Sequence, residues 1–506
     1  MSRTETILIA GGRVYDHDGD PHQPAYADVL IENDRIARVG PNLAASVGAV
    51  GRTIDARDKL VLPGFVNAHY HSHDALLKGC FETIPLELWL LSALPPSWPK
   101  RSKEEVRART LIGAVEALHS GITTIQDMLT VFPFDPEHVD VALDAYQELG
   151  IRTVFALQIG NIPGVERVPF WKEMIPPDKH RYLSASVEPF AGIHPIDAVM
   201  AEYARHRGRC SLVNWALGPT SPEFCTPDFL ERLAALSGEH QLPVYMHINE
   251  SKAMTLAGRL FMPEYGGSQV KYLRATGLIG PRVNLAHSIW MLPEEIDILA
   301  ETGTNVVLNP VGNLKSKSGV PPIRDFLVRG VNVAIGCDNC ACSDAQNMFQ
   351  GMKMLAALSA ASEIEPGPPS AADALRAATL GGAKTAGLED AIGAVKPGRK
   401  ADLSLIDLTS PAFVPFNSAA RQLVFTESGG DVETVIVDGK VVLDQGRVTT
   451  ISESELRDAI QVLMPGVRRD LAVVETRVKE LEPYLMRAYR KAMAADVGTN
   501  RMIGQK

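Results

Sequence analysis

Residues 61–71 of this 506-residue chain read Val-Leu-Pro-Gly-Phe-Val-Asn-Ala-His-Tyr-His, an apolar run that ends in two histidines. The apolar composition of 61–67 predicts a strand that is buried on both faces. His69 and His71 lie two positions apart, so in extended backbone their side chains point the same way. Two imidazoles that face one point suit a divalent metal ion.

Seven further apolar runs follow, and each is succeeded by helix-like sequence. These predicted strands span residues 123–127, 152–157, 211–216, 243–247, 282–287, 304–308 and 332–336. Eight β/α units that close on themselves form a (β/α)8 barrel, the α/β fold that we predict. An open, doubly wound sheet is the alternative, although no G-x-G-x-x-G opens a helix in this chain.

The segments before and after this central region have a different sequence pattern. Residues 1–60 and 395–450 contain short strand-like runs separated by turns such as Asp438-Gly439, which predicts a small β-sandwich domain built from both flanks around a barrel of residues 61–394. Residues 451–506 predict a helical tail. Ser452 and Glu455 form a capping-box pattern there, and apolar residues recur every three to four positions beyond Pro465.

Composition narrows the functional class. Fifty basic and sixty acidic side chains give a net charge of −10, which argues against a nucleic-acid or membrane-surface partner. No apolar run approaches the ~18 residues of a membrane helix, and the first residues lack a secretory signal pattern. Six cysteines do not indicate a disulfide framework. We therefore expect a cytoplasmic protein that acts on a small molecule.

Metal-capable residues recur at the ends of other predicted strands. His247 ends the fifth strand, His287 ends the sixth and Asp338 follows the eighth. The carboxyl ends of barrel strands form the catalytic face, so these side chains should converge with His69 and His71. A further histidine, at position 73, is expected to lie outside the set of ligands.

Three cysteines surround the last of these positions. Cys337, Cys340 and Cys342 form a C-x-x-C-x-C pattern that is also found in thiol metal or redox sites. Because the first of them directly precedes Asp338, we interpret all three as residues that line the loop after the eighth strand. The P-C-x-x-C motif of the zinc-dependent cytidine-type deaminases does not occur.

The ordered set of motifs resembles the amidohydrolase superfamily, in particular its branch of aminohydrolases and triazine hydrolases, which includes relatives of cytosine and guanine deaminases. The resemblance covers most of the chain. The similar segments are residues 63–71, 76–79, 86–90, 309–315, 338–349 and 382–403. It implies a metal-dependent hydrolase with a small-molecule substrate, and it favours a homo-oligomer because family members are often oligomers.

The resemblance also implies the ligands of the metal. Two-metal members usually carry a carboxylated lysine at the end of strand four, and residues 210–221 contain no lysine, so one divalent cation is expected. The implied ligands are His69, His71, His247 and Asp338, with His287 beside the metal and its direct coordination left open. Zinc is the expected ion, and ferrous iron is the alternative.

Glu250 indicates the reaction class. It follows His247 by three residues, so a helical turn that began there would put both on one face. Family aminohydrolases carry a similar H-x-x-E and use the glutamate as a proton shuttle. A surface acid that only complements a helix dipole is the alternative. We predict catalytic roles for Glu250, His287 and Asp338 in the attack of metal-activated water on a C–N bond of an amino-substituted heterocycle, which releases ammonia or an amine.

The expected substrate contacts are Trp89, Thr220 and Asn339. We expect specificity to depend on the loops 72–100, 158–180 and 252–270, whose conformation sequence patterns do not fix. Threonine at 220 replaces a histidine, and asparagine at 339 replaces a glycine, of many family aminohydrolases. Both differences favour triazine-like rings over purine nucleosides. A chlorohydrolase, an amide or urea hydrolase and a non-catalytic binding scaffold are the remaining alternatives.

Overall fold

The structure, a computed structural model, describes residues 5–163, 167–182, 189–362 and 365–503. The strands in chain order are β1 (Thr6–Val14), β2 (Tyr26–Glu32), β3 (Arg35–Gly40), β4 (Arg52–Asp55), β5 (Lys59–Pro63), β6 (Phe65–Tyr70), β7 (Ile122–Leu129), β8 (Arg152–Ile159), β9 (Val213–Trp215), β10 (Gly218–Pro219), β11 (Val244–Ile248), β12 (Val283–His287), β13 (Asn305–Leu308), β14 (Val333–Ile335), β15 (Leu403–Asp407), β16 (Val432–Val437), β17 (Lys440–Asp444) and β18 (Arg447–Val448).

The α-helices in chain order are α1 (Leu86–Ala93), α2 (Lys103–His119), α3 (Pro136–Leu149), α4 (Trp171–Met174), α5 (Pro195–His206), α6 (Pro227–His240), α7 (Lys252–Phe261), α8 (Gln269–Ala275), α9 (Pro293–Thr302), α10 (Pro310–Lys315), α11 (Ile323–Val328), α12 (Cys340–Ser343), α13 (Met348–Ser362), α14 (Ala371–Arg376), α15 (Gly382–Thr385), α16 (Ala419–Phe425) and α17 (Glu453–Ala494).

The central strands form two parallel sheets, as expected when helices connect successive strands. Within the described chain, β6 to β10 make a five-stranded sheet and β11 to β14 a four-stranded sheet. A parallel bridge between Leu217 and Val244 joins the two sheets at one side. At the other side, the N–H of Asp338 donates to the carbonyl of His69 over 2.9 Å. Strand β14, Val-Ala-Ile, is buried along its whole length, which explains its continuous apolar sequence.

The first predicted strand was wrong in its bounds. Residues 61–67 do not form one strand, because the chain leaves the flanking sheet at Pro63, the end of β5, and enters β6 at Phe65. Gly64 lies between the two strands and packs tightly on the next strand. A Cβ at this position would lie 2.1 Å from Cγ2 of Thr123. The seven other predicted strands agree with observed strands within a few residues.

The flanks of the chain pair with each other in a separate sheet. Within the described residues this sheet has nine strands, in the order β18-β17-β16-β15-β5-β1-β2-β3, with β4 paired to β1. Strand β15 runs antiparallel to β5, with Leu403 opposite Pro63. The two flanks therefore meet next to the start of β6.

Helix α17 spans 42 residues and begins where Ser452 accepts a hydrogen bond from the N–H of Glu455. It packs on α1, α2, α4 and α7, which all follow strands of the parallel sheets. Its residues Val467, Val474, Leu481 and Leu485 are buried, and this apolar stripe explains why the helix adheres to the rest of the molecule.

Candidate metal centre and active site

The four predicted metal ligands come together at the carboxyl ends of the parallel strands. His69 lies in β6 and the next-but-one residue, His71, directly follows the strand. His247 lies in β11, and Asp338 follows β14 after two residues. His69, His71 and Asp338 are nearly or fully buried, and His247 is partly exposed.

Three imidazole nitrogens face one another at short distances. The Nε2 atom of His71 lies 3.2 Å from Nε2 of His69 and 3.2 Å from Nε2 of His247. Oδ1 of Asp338 lies 3.6 Å from Nε2 of His69 and 3.9 Å from Nε2 of His71. Ligands at the 2.0–2.1 Å zinc–nitrogen distance in a tetrahedron are separated by about 3.3 Å, so the spacing fits a metal site.

The hydrogen bonds of the His71 and His247 rings fix which nitrogen of each ring carries the proton. Nδ1 of His71 donates to the carbonyl of Met128, and Nδ1 of His247 donates to the carbonyl of Thr220, both over 2.7 Å. Burial lowers the pKa of each of these histidines to about 3, so both rings are neutral. Their Nε2 atoms therefore carry lone pairs that point at each other, an arrangement that a cation between them relieves.

His287 borders the same site. Its Nε2 atom belongs to a metal-capable group with His69 and His247. Its Nδ1 atom donates to Oδ1 of Asn313 over 2.8 Å, and burial lowers its pKa to about 4. The neutral ring thus presents an Nε2 lone pair to the space beside the predicted ligands.

Glu250 lies next to His287, with 3.5 Å between Oε2 and Nε2. Burial raises the pKa of its carboxyl group well above the usual range, and the negative charges of Asp338, Glu87 and Glu223 add to this effect. A raised pKa favours the protonated form of a carboxyl group, so Glu250 can hold a proton that it has accepted and donate it again.

The expected helical spacing of Glu250 was wrong. Helix α7 begins only at Lys252, after the cap residue Ser251, so Glu250 lies in the turn between β11 and the helix. Asn249, with a left-handed φ of 45°, reverses the chain there and brings the carboxylate back towards His287. The turn therefore produces the proximity that we attributed to a helical face.

The predicted substrate contacts occupy different places. The carbonyl of Thr220 accepts from His247, so this residue orients a predicted ligand. The side-chain nitrogen of Asn339 lies 3.4 Å from Nε2 of His73, and that histidine takes no part in the metal-capable groups found among the described residues. Trp89 is buried in an apolar cluster with Val467 of α17, and its indole N–H donates to the carbonyl of Ala341 over 3.3 Å.

Three further residues of the site carry no marked spacing in the sequence. Asn313 orients His287. Glu87 accepts from the hydroxyl of Ser251 over 2.6 Å with one oxygen, and its other oxygen is buried without a hydrogen-bond partner. Burial raises the pKa of Glu223 to about 7, and its Oε1 is also unpartnered. The similar segments 86–90 and 309–315 contain Glu87 and Asn313 and so hinted at a role for both, whereas Glu223 lies in none of these segments.

The loops in which we expected specificity, 72–100, 158–180 and 252–270, all touch α17. Lys252 donates to the carbonyl of Met493 over 2.7 Å, and Arg477 donates to the carbonyl of Leu91 over 3.0 Å. In the middle loop, of which 164–166 lie outside the described residues, Glu173 pairs with Lys491 at 2.6 Å. The C-terminal helix therefore forms part of the surroundings of the site.

The sequence matches a known family over most of these elements. A sequence model of the amidohydrolase family covers residues 60–442, which include every predicted ligand. The chain belongs to the amidohydrolase family. This amidohydrolase is 31% identical to 5'-deoxyadenosine deaminase of Methanothermobacter thermautotrophicus over 466 residues, which cover 91% of this chain and 99% of the relative.

Solved structures of similar proteins bind zinc. A crystal structure of an adenosine deaminase from Xanthomonas campestris with bound zinc has 27% identity and a TM-score of 0.78, and covers 92% of this chain and 98% of that one. A crystal structure of an atrazine chlorohydrolase from Arthrobacter aurescens with zinc has 26% identity and a TM-score of 0.77, and covers 91% and 100% of the two chains.

These similarities confirm the predicted family and enzyme class. The amidohydrolase is a hydrolase of a family that uses a divalent metal, and small-molecule heterocycles are consistent with its relatives. Among the helices that the structure describes, none combines the length and the apolar composition of a membrane span. The expected cytoplasmic location stays a prediction.

Proposed function

We propose that this amidohydrolase is a zinc-dependent deaminase that hydrolyses the exocyclic C–N bond of an amino-substituted purine in an adenosine-derived compound and releases ammonia. The observation that carries the proposal is the buried carboxyl group of Glu250, 3.5 Å from Nε2 of His287 and beside the converging Nε2 atoms. The deaminase relative at 31% identity supports the choice of substrate class.

The residues that hold the cation are His69, His71, His247 and Asp338. Three neutral imidazoles with a carboxylate suit zinc, and ferrous iron is the alternative. A bound divalent cation lowers the pKa of a coordinated water towards about 7, which supplies hydroxide at neutral pH. His287 is close enough to the same nitrogens to act as a further ligand or as a contact of the reacting oxygen.

Glu250 moves the proton in this scheme. Its carboxylate accepts a proton from the attacking water and donates it to the ring nitrogen that gains electron density as the C–O bond forms. The raised pKa of Glu250 favours the protonated form between these two transfers. His287, oriented by Asn313, accepts a hydrogen bond at Nε2 from the hydroxyl group that replaces the amine. Asp338 accepts the remaining hydroxyl proton and passes it to the amino group, which leaves as ammonia.

The architecture that carries this chemistry is, in our proposal, a (β/α)8 barrel of residues 61–394. The bridge at Leu217 and the bond from Asp338 to His69 support closure of the two parallel sheets. Residues 1–60 and 395–450 would form the β-sandwich, supported by an apolar core that contains Ile9 and Leu403 from opposite flanks. Residues 451–506 would form the helical tail, supported by α17, which spans Glu453–Ala494.

A second reaction remains a candidate. The residue pair Asp338-Asn339 and the threonine at position 220 are more similar to triazine hydrolases than to many aminohydrolases, and a chlorohydrolase of triazines shares the fold at 26% identity. The same water attack then displaces chloride or an amine from a triazine ring. Amide or urea hydrolysis and a non-catalytic scaffold have no comparable support from the site.

The test is a substrate screen with the zinc-loaded protein. Adenosine and 5'-modified adenosines, guanine, cytosine, pterins, and amino- and chloro-triazines are each incubated with the protein, and release of ammonia and chloride is measured. Metal-stripped protein provides the control. We expect ammonia from an adenosine derivative. Chloride from a triazine would favour the second reaction, and neither product from any compound would contradict both.

The homo-oligomer expected from the resemblance also stays a proposal. Helix α17 leaves Val462 and Val473 exposed, at 81% and 71% of their surface, and exposed apolar side chains are suited to a subunit contact. Light scattering of the purified protein measures the mass directly, and a monomer at micromolar concentration would contradict the proposal.

A further inference from the structure

Asp338, the carboxylate of the proposed metal site, has an unfavourable backbone conformation. Its φ angle is 64°, in the left-handed region that residues with a side chain rarely adopt. Such a conformation persists only where neighbouring contacts hold it. The surroundings of Asp338 must therefore contain groups that keep the turn in this shape.

The contacts of the turn identify these groups. The N–H of Asp338 donates to the carbonyl of His69, and its own carbonyl accepts from Nε2 of Gln346, both over 2.9 Å. One residue earlier, the N–H of Cys337 donates to Oδ1 of Asn67 over 2.9 Å. Two side-chain amides thus hold the backbone on either side of the ligand.

The two amides are also bonded to each other. Nδ2 of Asn67 donates to Oε1 of Gln346 over 2.7 Å, although the residues are 279 positions apart in the chain. Both side chains have no exposed surface. Each amide uses its oxygen as an acceptor and its nitrogen as a donor, so a flip of either would place like groups against each other. The pair joins the strand that carries His69 to the turn that carries Asp338.

We propose that Gln346 is a positioning residue for the metal centre: together with Asn67 it fixes the distance and direction of Asp338 relative to His69 and His71. This inference rests on the proposed metal-dependent function. Residues that orient metal ligands from outside the coordination sphere typically change metal affinity or activity 10–100-fold when they are replaced.

A purely structural role for a buried glutamine is the competing explanation, and the chain contains a matched control. Gln126 also has no exposed surface. Its Nε2 donates to the carbonyl of Gly382 over 3.0 Å and to the hydroxyl of Thr385 over 2.7 Å, and neither acceptor belongs to the site. Replacement by methionine, which has a similar length, removes buried side-chain hydrogen bonds at both positions, including one accepted and one donated at Gln346, and two donated at Gln126.

The experiment compares zinc release from wild type, Gln346→Met and Gln126→Met, each loaded with one zinc ion and mixed with excess chelator. We expect Gln346→Met to lose zinc 10–100-fold faster than wild type and its cobalt-substituted form to show a shifted visible spectrum. Gln126→Met should release zinc within twofold of wild type, even if its melting temperature falls. If Gln346→Met does not fold, Gln346→Glu, which keeps only the acceptor for Asn67, takes its place with the same expectation.

Equal zinc release by a folded Gln346 variant and wild type, with an unchanged cobalt spectrum, would overturn the proposal. Equal acceleration by Gln126→Met would overturn it as well, because any buried glutamine would then have the same effect. These measurements do not depend on ammonia release. A wild-type protein that binds zinc but deaminates nothing contradicts the proposed function alone, whereas one that binds no divalent metal contradicts both proposals.

Discussion

Buried or partly buried polar side chains lie at both ends of the parallel strands β6 to β14, but their partners differ. At the amino ends, Asn332 donates to Oδ1 of Asn305, which donates to Oδ1 of Asn284, each over 3.0 Å. At the carboxyl ends, lone pairs of His71 and His247 face each other at 3.2 Å. At the amino ends each hydrogen-bond donor faces an acceptor, whereas at the carboxyl ends two hydrogen-bond acceptors face each other. The first arrangement stabilises the fold by itself, and the second needs a cation.

The two ends of the strands also differ in backbone strain. Asn249, His287 and Asp338 all have positive φ angles, between 45° and 68°, at the end that carries the histidines. The asparagines at the opposite end lie within or directly before regular strands. Functional ends of strands tolerate such conformations because the surrounding contacts hold them. The comparison predicts that substitutions at one end change activity and at the other end change stability.

The largest effect is expected from Glu250→Gln. The amide cannot carry a proton between the attacking water and the ring nitrogen, so kcat should fall by about 10²–10⁴. Zinc content and melting temperature should stay at or above the wild-type values, because a buried carboxyl group with a raised pKa is removed. Steady-state kinetics and metal analysis measure both. A kcat close to that of wild type would refute the proton shuttle.

Asn313→Leu should have the next largest effect. It removes the acceptor of the Nδ1 proton of His287, and we expect kcat to fall 10–100-fold as the ring loses its orientation. The loss of stability should be small, because Nδ2 of Asn313 is already buried without a partner and its removal offsets part of the cost. Chemical denaturation provides the stability, and a kcat within twofold of wild type would contradict the assigned role.

The matched substitution at the opposite end is Asn305→Leu. Asn305 and Asn313 are both fully buried. Here the change leaves Oδ1 of Asn284 without its donor and removes one of the two acceptors of Nδ2 of Asn332, and a buried polar group left unpaired costs about 1–3 kcal/mol of unfolding free energy. Zinc content and kcat should stay within twofold of wild type. If Asn305→Leu reduced kcat as strongly as Asn313→Leu, the division of roles between the two ends would fail.

The smallest effect concerns the contact between the flanking sheet and the parallel sheets, where buried charges are paired. Asp438 binds Arg152 over 3.0 Å and Lys400 over 2.8 Å. Burial alone would raise the pKa of Asp438, but hydrogen bonds from Lys400 and Ser211 and the charge of Arg152 lower it to about 2.

Because the pKa of Asp438 is lower in the folded state than its ordinary value of 3.8, its contribution to stability is complete above about pH 4 and is lost as the pH falls towards 2. We expect Asp438→Asn to lose less unfolding free energy than wild type between pH 4.5 and pH 2.5. Denaturation curves at several pH values measure the difference, and parallel pH profiles for the two proteins would contradict it.

Much of the site could be predicted from the sequence, because its predicted ligands occupy the ends of strands that appear in the sequence as apolar runs. His69, His247 and His287 are each found in an observed strand at its carboxyl end. The break at Gly64 could not be predicted, since an uninterrupted apolar run hides the change from one sheet to another. It depends on how closely Thr123 packs against that glycine.

Long-range pairs were also beyond the sequence. The bond from Asn67 to Gln346 joins residues that are 279 positions apart, and neither residue stands out by type or spacing. The catalytic role of Glu250 stays a prediction, and its approach to His287 depends on a left-handed turn at Asn249, a conformation that asparagine permits without requiring it. Such features arise from the packed chain rather than from local preference.

The hydrogen bonds of residues 493–501 bear on the order in which the protein matures during translation. The carbonyls of Met493 and Arg501 accept from Lys252 and from the N–H of Val320, so late-synthesised backbone secures loops made much earlier. At a synthesis rate of 5–20 residues per second, roughly ten seconds or more pass between the synthesis of these loops and that of residues 493–501. The histidines of a nascent chain can thus come together while the loops around them still lack these hydrogen bonds. The loops are fixed only after residues 493–501 have been synthesised.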